Sequence, residues 1–244
     1  MEMQSRLLLL PNTLGGICDR LLPTPYLEKV IPKLDGLIVE SEKQGHLYLK
    51  RFLGSFEAIR KMGFAVLNRH TTFCEMKDLL KPMLRGEVWG LIADCGLPVL
   101  ADPGFLLVRE AHIKGIQVEA VAGPSSLYLA LMLSGFSAQR FSFLGYLSRS
   151  PQLLKREILD LEKRARYYQE TQLFIETPYR TDRLLDFLIT LLHPQTLLCV
   201  AANISLPTQS IVSKKVGEWK GYKRSLYRKT PAVFLVAHSD ETGV

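Results

Sequence analysis

The sequence has little of what several large protein classes require. Its 244 residues contain four cysteines, Cys18, Cys74, Cys95 and Cys199, and no two of them form a C-x-x-C pair. This excludes a zinc ribbon and a thioredoxin-type motif, and the four read as reduced thiols. The five histidines are scattered and no H-E-x-x-H occurs, so no metal is expected. No apolar run approaches the ~18 residues of a membrane helix, and no membrane association is expected. The run Leu7 to Leu10 is shorter than the apolar region of a signal peptide, so a cytoplasmic location is expected by default. Neither G-x-G-x-x-G, Walker A nor G-x-S-x-G is present, which disfavours an ordinary dinucleotide site, a P-loop ATPase and an α/β-hydrolase. Low-complexity segments and short tandem repeats are also missing.

What is present is the composition of a globular protein. The chain is 47% hydrophobic and 23% charged, which excludes wholesale disorder. A chain of this length buries roughly 70% of its unfolded surface and needs no disulfide or metal to hold its core. The net charge is +7, and it is unevenly placed. Between Lys214 and Lys229 stand seven basic residues (Lys214, Lys215, Lys220, Lys223, Arg224, Arg228, Lys229) against one acid, Glu218. Trp219, Tyr222 and Tyr227 lie among them. Basic side chains attract phosphate and aromatic rings stack on exposed bases, so the segment suits a nucleic-acid surface; a solvated hairpin is the other reading. From Lys155 to Arg166 the charges are mixed and read as the wet face of a helix, with Leu154, Ile158 and Leu161 on its dry face.

Along the chain, short apolar runs alternate with amphipathic stretches. Strands are expected at Leu7–Leu10, Gly36–Val39, Phe64–Leu67, Val88–Ala93 and Gln117–Val121, with helices between them, one of them spanning Glu75–Leu84. This alternation implies βαβ units and a mostly parallel sheet covered on both faces. Beyond Gly123 the pattern continues with helices from Ser125, Leu153 and Thr181 and strands at Phe141–Tyr146, Gln172–Ile175 and Leu197–Ala202. Ile211–Val216 and Ala232–Ala237 then flank the basic segment like the legs of an antiparallel hairpin. The expectation is an α/β protein with an N-terminal α/β domain over residues 1–118 and a C-terminal mixed-sheet α/β domain over residues 119–244.

Two strand-to-helix junctions carry the candidate chemistry. The first runs Ile92-Ala-Asp94-Cys95-Gly96-Leu-Pro98-Val-Leu100-Ala-Asp102-Pro-Gly104. Ligands of α/β sheets bind beyond the carboxyl ends of the strands, glycine permits close backbone approach, and proline stiffens the loop. The second is Ala122-Gly123-Pro124-Ser125-Ser126, where free N–H groups at a helix start and two hydroxyls hold a polar ligand, or where Ser125 acts only as an N-cap.

Together these segments resemble the tetrapyrrole methylase superfamily of S-adenosylmethionine-dependent enzymes, and within it the ribosomal RNA small-subunit 2′-O-methyltransferase I group. That group carries D-A-G-x-P-x-x-S-D-P-G, which stands here as Asp94 to Gly104. Its G-P-S, S-G and F-x-F-x-G-F-L pieces correspond to Gly123-Pro-Ser125, Ser134-Gly135 and Phe141 to Leu147, and its F-Y-E-x-P-H-R to Phe174 to Arg180. The resemblance spans nearly the whole chain. It implies two α/β domains of the tetrapyrrole methylase type, with S-adenosyl-L-methionine in a cleft between them, and commonly a homodimer. It places Pro11, Asp94, Cys95, Gly96, Pro98 and Leu100 at the cofactor, with Ser125 and Ser126 following. Glu176, Ala202, Pro231 and Ala232 would line the second-domain side.

Several family motifs are altered. The T-P-I-G-N loop reads Leu10-Pro-Asn-Thr-Leu-Gly15, the E-D-T-R element reads Glu40-Ser-Glu-Lys43, and the histidine of E-x-P-H-R is Tyr179. R-E-L-T-K becomes Ala202-Asn-Ile-Ser-Leu206, and the long C-terminal extension is not present, as in a shorter subgroup. The resemblance implies 2′-O-methylation of a ribose in small-subunit ribosomal RNA. Methylation of a small molecule such as a tetrapyrrole, or a non-catalytic cofactor-binding module, remain the alternatives. A ribose hydroxyl benefits from a base, for which Glu176 and Asp94 are candidates. Arg180, Lys214, Lys215, Lys220, Lys223 and Arg224 are candidates for holding ribosomal RNA or the small ribosomal subunit.

Overall fold

The computed structural model describes residues 5–15, 22, 24–219, 221 and 227–238. Its contacts divide the chain into two compact units, Met1–Ser125 and Ser126–Val244.

In the first unit, strands β1 (Arg6–Leu9), β2 (Gly36–Val39), β3 (Gly63–Val66), β4 (Val88–Leu91) and β5 (Gln117–Ala120) alternate with helices α1 (Thr24–Val30), α2 (Glu42–Phe52), α3 (Phe56–Lys61), α4 (Phe73–Asp78), α5 (Lys81–Leu84) and α6 (Gly104–Ile113). All strand pairs are parallel, in the order β3-β2-β4-β1-β5. Successive side chains of a strand point to opposite faces. Accordingly Leu8 and Leu37 enter one core with Leu27, Tyr48 and Leu49, while Leu7 and Ile38 enter another with Met76, Leu80 and Leu107. This two-sided burial explains the unbroken apolar runs. Helix ends follow local chemistry. Ser41 caps α2 by accepting the Gln44 N–H, and Thr72 and Glu75 form a reciprocal capping box on α4. The expected single helix over Glu75–Leu84 is instead α4 and α5. Pro82 lacks the N–H that would bond one turn back, so the chain restarts there.

The chain leaves β1 toward β2 on one side and β4 toward β5 on the other. Their carboxyl ends are therefore the switch point of the sheet, where an α/β fold opens a crevice.

The second unit contains α7 (Ser126–Ser134), β6 (Phe141–Tyr146), α8 (Pro151–Tyr168), β7 (Thr171–Glu176), α9 (Thr181–Leu191), β8 (Leu197–Ala202), β9 (Ser210–Lys215) and β10 (Ala232–Ala237). Its sheet is mixed, in the order β6-β7-β10-β8-β9, with β6 parallel to β7 and the other pairs antiparallel. Leu154, Ile158 and Leu161 of α8 are buried, as the charge pattern of that helix predicts, and Ala165 is buried with them. Phe174 and Phe234 stack with ring centroids 5.6 Å apart at the centre of the core.

The expected hairpin of β9 and β10 does not form. The two strands run in the same direction with β8 between them. The connection leaves β9 through a 3-10 turn, Val216–Trp219, which drives Trp219 into the core, where its Nε1 donates to the Leu198 carbonyl at 3.3 Å. Trp219 and Tyr227 are both fully buried, so neither ring offers a face to a base, and Tyr222 lies outside the described residues. The stacking expectation drawn from these two rings is thus corrected.

Candidate active site

At the switch point of the first unit the loops after β1 and β4 are sewn together by Asn12. Its side-chain amide donates to the carbonyls of Ala93 and Asp94, both at 3.1 Å, while its backbone N–H donates to the Gly96 carbonyl at 2.7 Å. Gly96 N–H returns a bond to Thr13 at 3.0 Å. Asn12 is 4% exposed, and sequence reasoning passed over it; an amide one residue past the proline that ends a buried strand was its only signal. Pro11 is buried against Gly123, whose missing side chain makes the approach possible: a Cβ there would lie 2.0 Å from the Pro11 Cβ. Thus Pro11, Gly96 and the segment leading to the buried Ser125 form one packed floor.

Beyond Gly96 the backbone is unusual. Gly96, Val99 and Ala101 take φ of +73°, +78° and +65°, a conformation that costs the latter two residues energy. Asp102 holds this course by accepting the Val99 and Gly104 N–H groups, each at 2.6 Å. Burial pushes its carboxyl above the ordinary value, and the two N–H bonds oppose that shift. A Cβ at Gly104 would lie 2.7 Å from Asp102 Oδ1, so glycine is required beside this carboxylate. Leu100, between the strained residues, is 41% exposed, and Pro98 is buried beneath.

Three carboxylates gather here. Glu40 Oε2 accepts the Asp94 N–H at 3.0 Å, and Ser41 Oγ donates to Asp94 at 3.0 and 3.2 Å. Glu40 is pushed above its ordinary value by burial and further by Asp102 and Asp94, against the N–H it accepts. Partial desolvation of the otherwise exposed Cys95, with Asp94 and Glu40 beside it, pushes its thiol above the ordinary value. Such an environment favours a cationic ligand group. A sulfonium donor bearing an ammonium fits this donor set, with exposed Leu100 available to an apolar ring.

In the second unit β7, β10 and β8 bring three expected residues into one row across the sheet: Glu176 pairs with Ala232, and Ala232 with Ala202. Pro231 extends the row by accepting the Asn203 N–H at 3.2 Å. Ser126 is the first residue of α7. Glu176 is buried: Oε1 accepts the N–H and hydroxyl of Thr177 at 2.7 and 3.1 Å, while Oε2 accepts no hydrogen bond among the described residues and stands 3.1 Å from Arg180 Nη2 as an ion pair. Arg180 also donates to the Ser148 carbonyl at 3.2 Å, and Thr181 Oγ1 ties this corner to the Thr230 carbonyl at 2.7 Å.

Lys214 and Lys215 pair with Leu198 and Leu197, at the end of the sheet away from the Glu176 row. The Lys214 ammonium stands 5.2 Å from the buried Trp219 ring centroid. Lys220, Lys223 and Arg224 lie outside the described residues. Among the described residues no group of histidine, cysteine and acidic side chains suits a metal ion, and no helix is long and apolar enough to cross a membrane.

Comparison with known proteins fits this geometry. Residues 42–220 match the tetrapyrrole (corrin/porphyrin) methylases. The ribosomal RNA small subunit methyltransferase I of Leptospira borgpetersenii serovar Hardjo-bovis is 32% identical over 245 residues, covering 98% of this chain and 91% of that protein. The protein of the same name from Xylella fastidiosa is 33% identical over 139 residues, 57% of this chain and half of that relative's length. Among solved structures, the methyltransferase CobJ has the same fold at a TM-score of 0.65 and 14% identity, covering 98% of this chain and 97% of that one. The uroporphyrin-III-C-methyltransferase of Thermus thermophilus follows at a TM-score of 0.56 and 16% identity, covering 96% and 92%. By its sequence and by the fold of both units, the chain belongs to the tetrapyrrole methylase family.

Proposed function

We propose that this chain is an S-adenosylmethionine-dependent methyltransferase that methylates a ribose 2′-hydroxyl in small-subunit ribosomal RNA, acting in the cytoplasm as a homodimer. The observation that carries this reading is the match to the Leptospira ribosomal RNA methyltransferase over 98% of the chain. Its local support is the strained, acidic loop of the first unit, which suits a cationic donor. The residues assigned to the donor in this proposal are Pro11, Asp94, Cys95, Gly96, Pro98, Leu100, Ser125, Ser126, Glu176, Ala202, Pro231 and Ala232, acting largely through backbone and shape.

In the reaction the ribose oxygen forms a bond to the methyl carbon as the carbon–sulfur bond breaks. The sulfonium supplies the electrophile, and the residues of this chain align it and exclude water. The hydroxyl proton needs an acceptor. Of the two candidates, Asp94 is exposed while Glu176 is enclosed by Arg180 and Thr177. This favours Asp94 as the acceptor and gives Glu176 and Arg180 a holding role at the β7–α9 corner. Lys214, Lys215, Lys220, Lys223 and Arg224 supply phosphate contacts.

The test is labelled methyl transfer to undermethylated small ribosomal subunits, followed by alkaline digestion. Label in an alkali-resistant dinucleotide is the expected result, because a 2′-O-methyl group blocks cleavage. No label, with the donor still bound, would overturn the RNA reading and point to a small-molecule substrate or a binding role.

A further inference from the structure

The second unit carries a cleft that none of the candidate site residues above line. It lies where α8 ends and β6 begins, between Gln139, Arg140, Phe141, Arg164, Tyr168 and Glu170. Phe141 pairs with Thr171 at the start of β7, whereas Glu176 closes that strand. At ~3.3 Å per residue the cleft is therefore about 17 Å along the sheet from the Glu176 row.

Its charge is positive. Glu170 is engaged inside the wall: it accepts the Ser142 hydroxyl and Gln172 Nε2, the latter at 2.9 Å, and stands 3.6 Å from Arg164 Nη2. These bonds, the Ser142 hydroxyl first, hold its carboxyl below the ordinary value, so it is ionised and matched by Arg164. Arg140 is exposed, and its side chain has no hydrogen-bond or ion-pair partner among the described residues. One guanidinium is thus oriented and a second is uncompensated. Aromatic rings stand beside them. Tyr168 is 54% exposed and Phe141 39%, and Tyr167, edge-on to Tyr168 at 4.8 Å between centroids, is 81% exposed.

Phosphate binds guanidinium groups, and the faces of unpaired bases stack on exposed rings. A strand of RNA offers both groups in each repeating unit, whereas an acidic peptide uses only the charge. The sheet register adds a third observation. Ser142, Gln172, Val236, Leu198 and Lys214 form one row across all five strands, so Lys214 stands at the same end of the sheet as the cleft. The two edges are about 19 Å apart at ~4.8 Å per strand. Positive charge therefore flanks both edges of the sheet end remote from the Glu176 row.

We propose that this cleft is an RNA exosite, in which Arg140 and Arg164 hold phosphate and Tyr168 stacks on a base, anchoring the substrate away from the methylated ribose. The proposal rests on the RNA reading above. An anchor remote from the reacting atoms contributes equally to ground and transition states, so its loss raises KM and leaves kcat unchanged.

The test uses the full chain, a labelled 16-nucleotide single-stranded RNA and undermethylated small ribosomal subunits. Arg140→Glu and Tyr168→Ala are made separately, and Lys155→Glu, an exposed position near the start of α8, serves as the charge control. The expected result is about tenfold weaker RNA binding for Arg140→Glu, with a salt dependence shallower by about one ion, and a loss of about five- to tenfold for Tyr168→Ala with the slope unchanged. Donor affinity and kcat stay at wild-type values, KM for subunits rises, and Lys155→Glu stays within about twofold. If the wild type binds and methylates RNA while Arg140→Glu and Tyr168→Ala behave like it, the exosite is refuted and the RNA reading stands. A loss in Arg140→Glu alone, matched by Lys155→Glu, also refutes it by showing only general electrostatics. If the wild type neither binds nor methylates RNA while still binding donor, the RNA reading fails and takes the exosite with it.

Discussion

Replacing Asp102 by asparagine tests how the donor loop is held. The carboxylate accepts two N–H groups at 2.6 Å, from Val99 and Gly104. Between them Val99 and Ala101 sit at positive φ. A left-handed conformation costs a non-glycine residue about 1–2 kcal/mol, so the two positions together store about 3 kcal/mol. Hydrogen bonds to an ionised group contribute about 1.5–3 kcal/mol each, or about 4 kcal/mol for the pair. The loop is then held by roughly 1 kcal/mol. Asparagine keeps the shape but turns one oxygen into a donor, removing one bond worth about 2 kcal/mol and leaving an N–H facing an NH2 group. The balance reverses, and the donor must order the loop as it binds. The expected consequence is roughly fivefold weaker S-adenosylmethionine binding by calorimetry. Thermal unfolding should shift little, because Asp102 stands outside the apolar cores of the unit. Adding Ala101→Gly to Asp102→Asn relieves about 1 kcal/mol of strain and should recover part of the affinity. An Asp102→Asn variant that binds donor as tightly as the wild type refutes this account of the loop.

Gly123→Ala should lower the thermal midpoint and destabilise the chain by about 2 kcal/mol or more in urea unfolding, since the new Cβ meets the rigid Pro11 ring; wild-type stability would show that the two segments separate freely. Arg180→Ala should cost about 3 kcal/mol, the low end for breaking a buried pair, because Arg180 is itself a quarter exposed and Thr177 still donates to the Glu176 carboxylate, which has no exposed surface. Denaturant titration measures this, and a loss below ~0.5 kcal/mol would show that the pair behaves like a surface bridge. Glu170 has a lowered carboxyl, so its contribution to stability is present above its ordinary value near pH 4.5 and is lost as pH falls through its folded-state value. Glu170→Gln should therefore flatten the acid limb of a stability–pH curve, and an unchanged limb would contradict the assignment.

Strand and helix order was legible because both faces of the inner strands of the first sheet are covered, which makes β1, β2 and β4 largely apolar runs such as Leu7 to Leu10, whereas the edge strand β5, Gln117 to Ala120, is mixed and partly exposed. The bounds of β6, β8 and β10 and the dry face of α8 follow from the same patterning. Three features were not legible. Helix α3 has only six residues, too few for a periodic signal. Composition counts a ring among lysines without saying which way it points, and Trp219 points inward. Pairing partners are tertiary, so nothing local in β9 and β10 reveals that β8 separates them. At the candidate site the motif glycines and aspartates drew notice by type, whereas Asn12 acts through bonds to backbone atoms more than eighty residues away in sequence. The Arg140 cleft arises likewise from the end of α8 meeting the start of β6.

The central position of β10 has a consequence for biosynthesis. The first sheet is complete once β5 has been made, so that unit has all its strands while the rest of the chain is still being synthesised. The second sheet has no such intermediate. Until β10 arrives, β7 and β8 each carry an unpaired edge, and the sheet exists only as the separate pairs β6-β7 and β8-β9. A ribosome that stalls before Ala232 therefore leaves a finished first unit joined to two open ribbons. Those edges are where a chaperone, or another nascent copy, would be expected to bind.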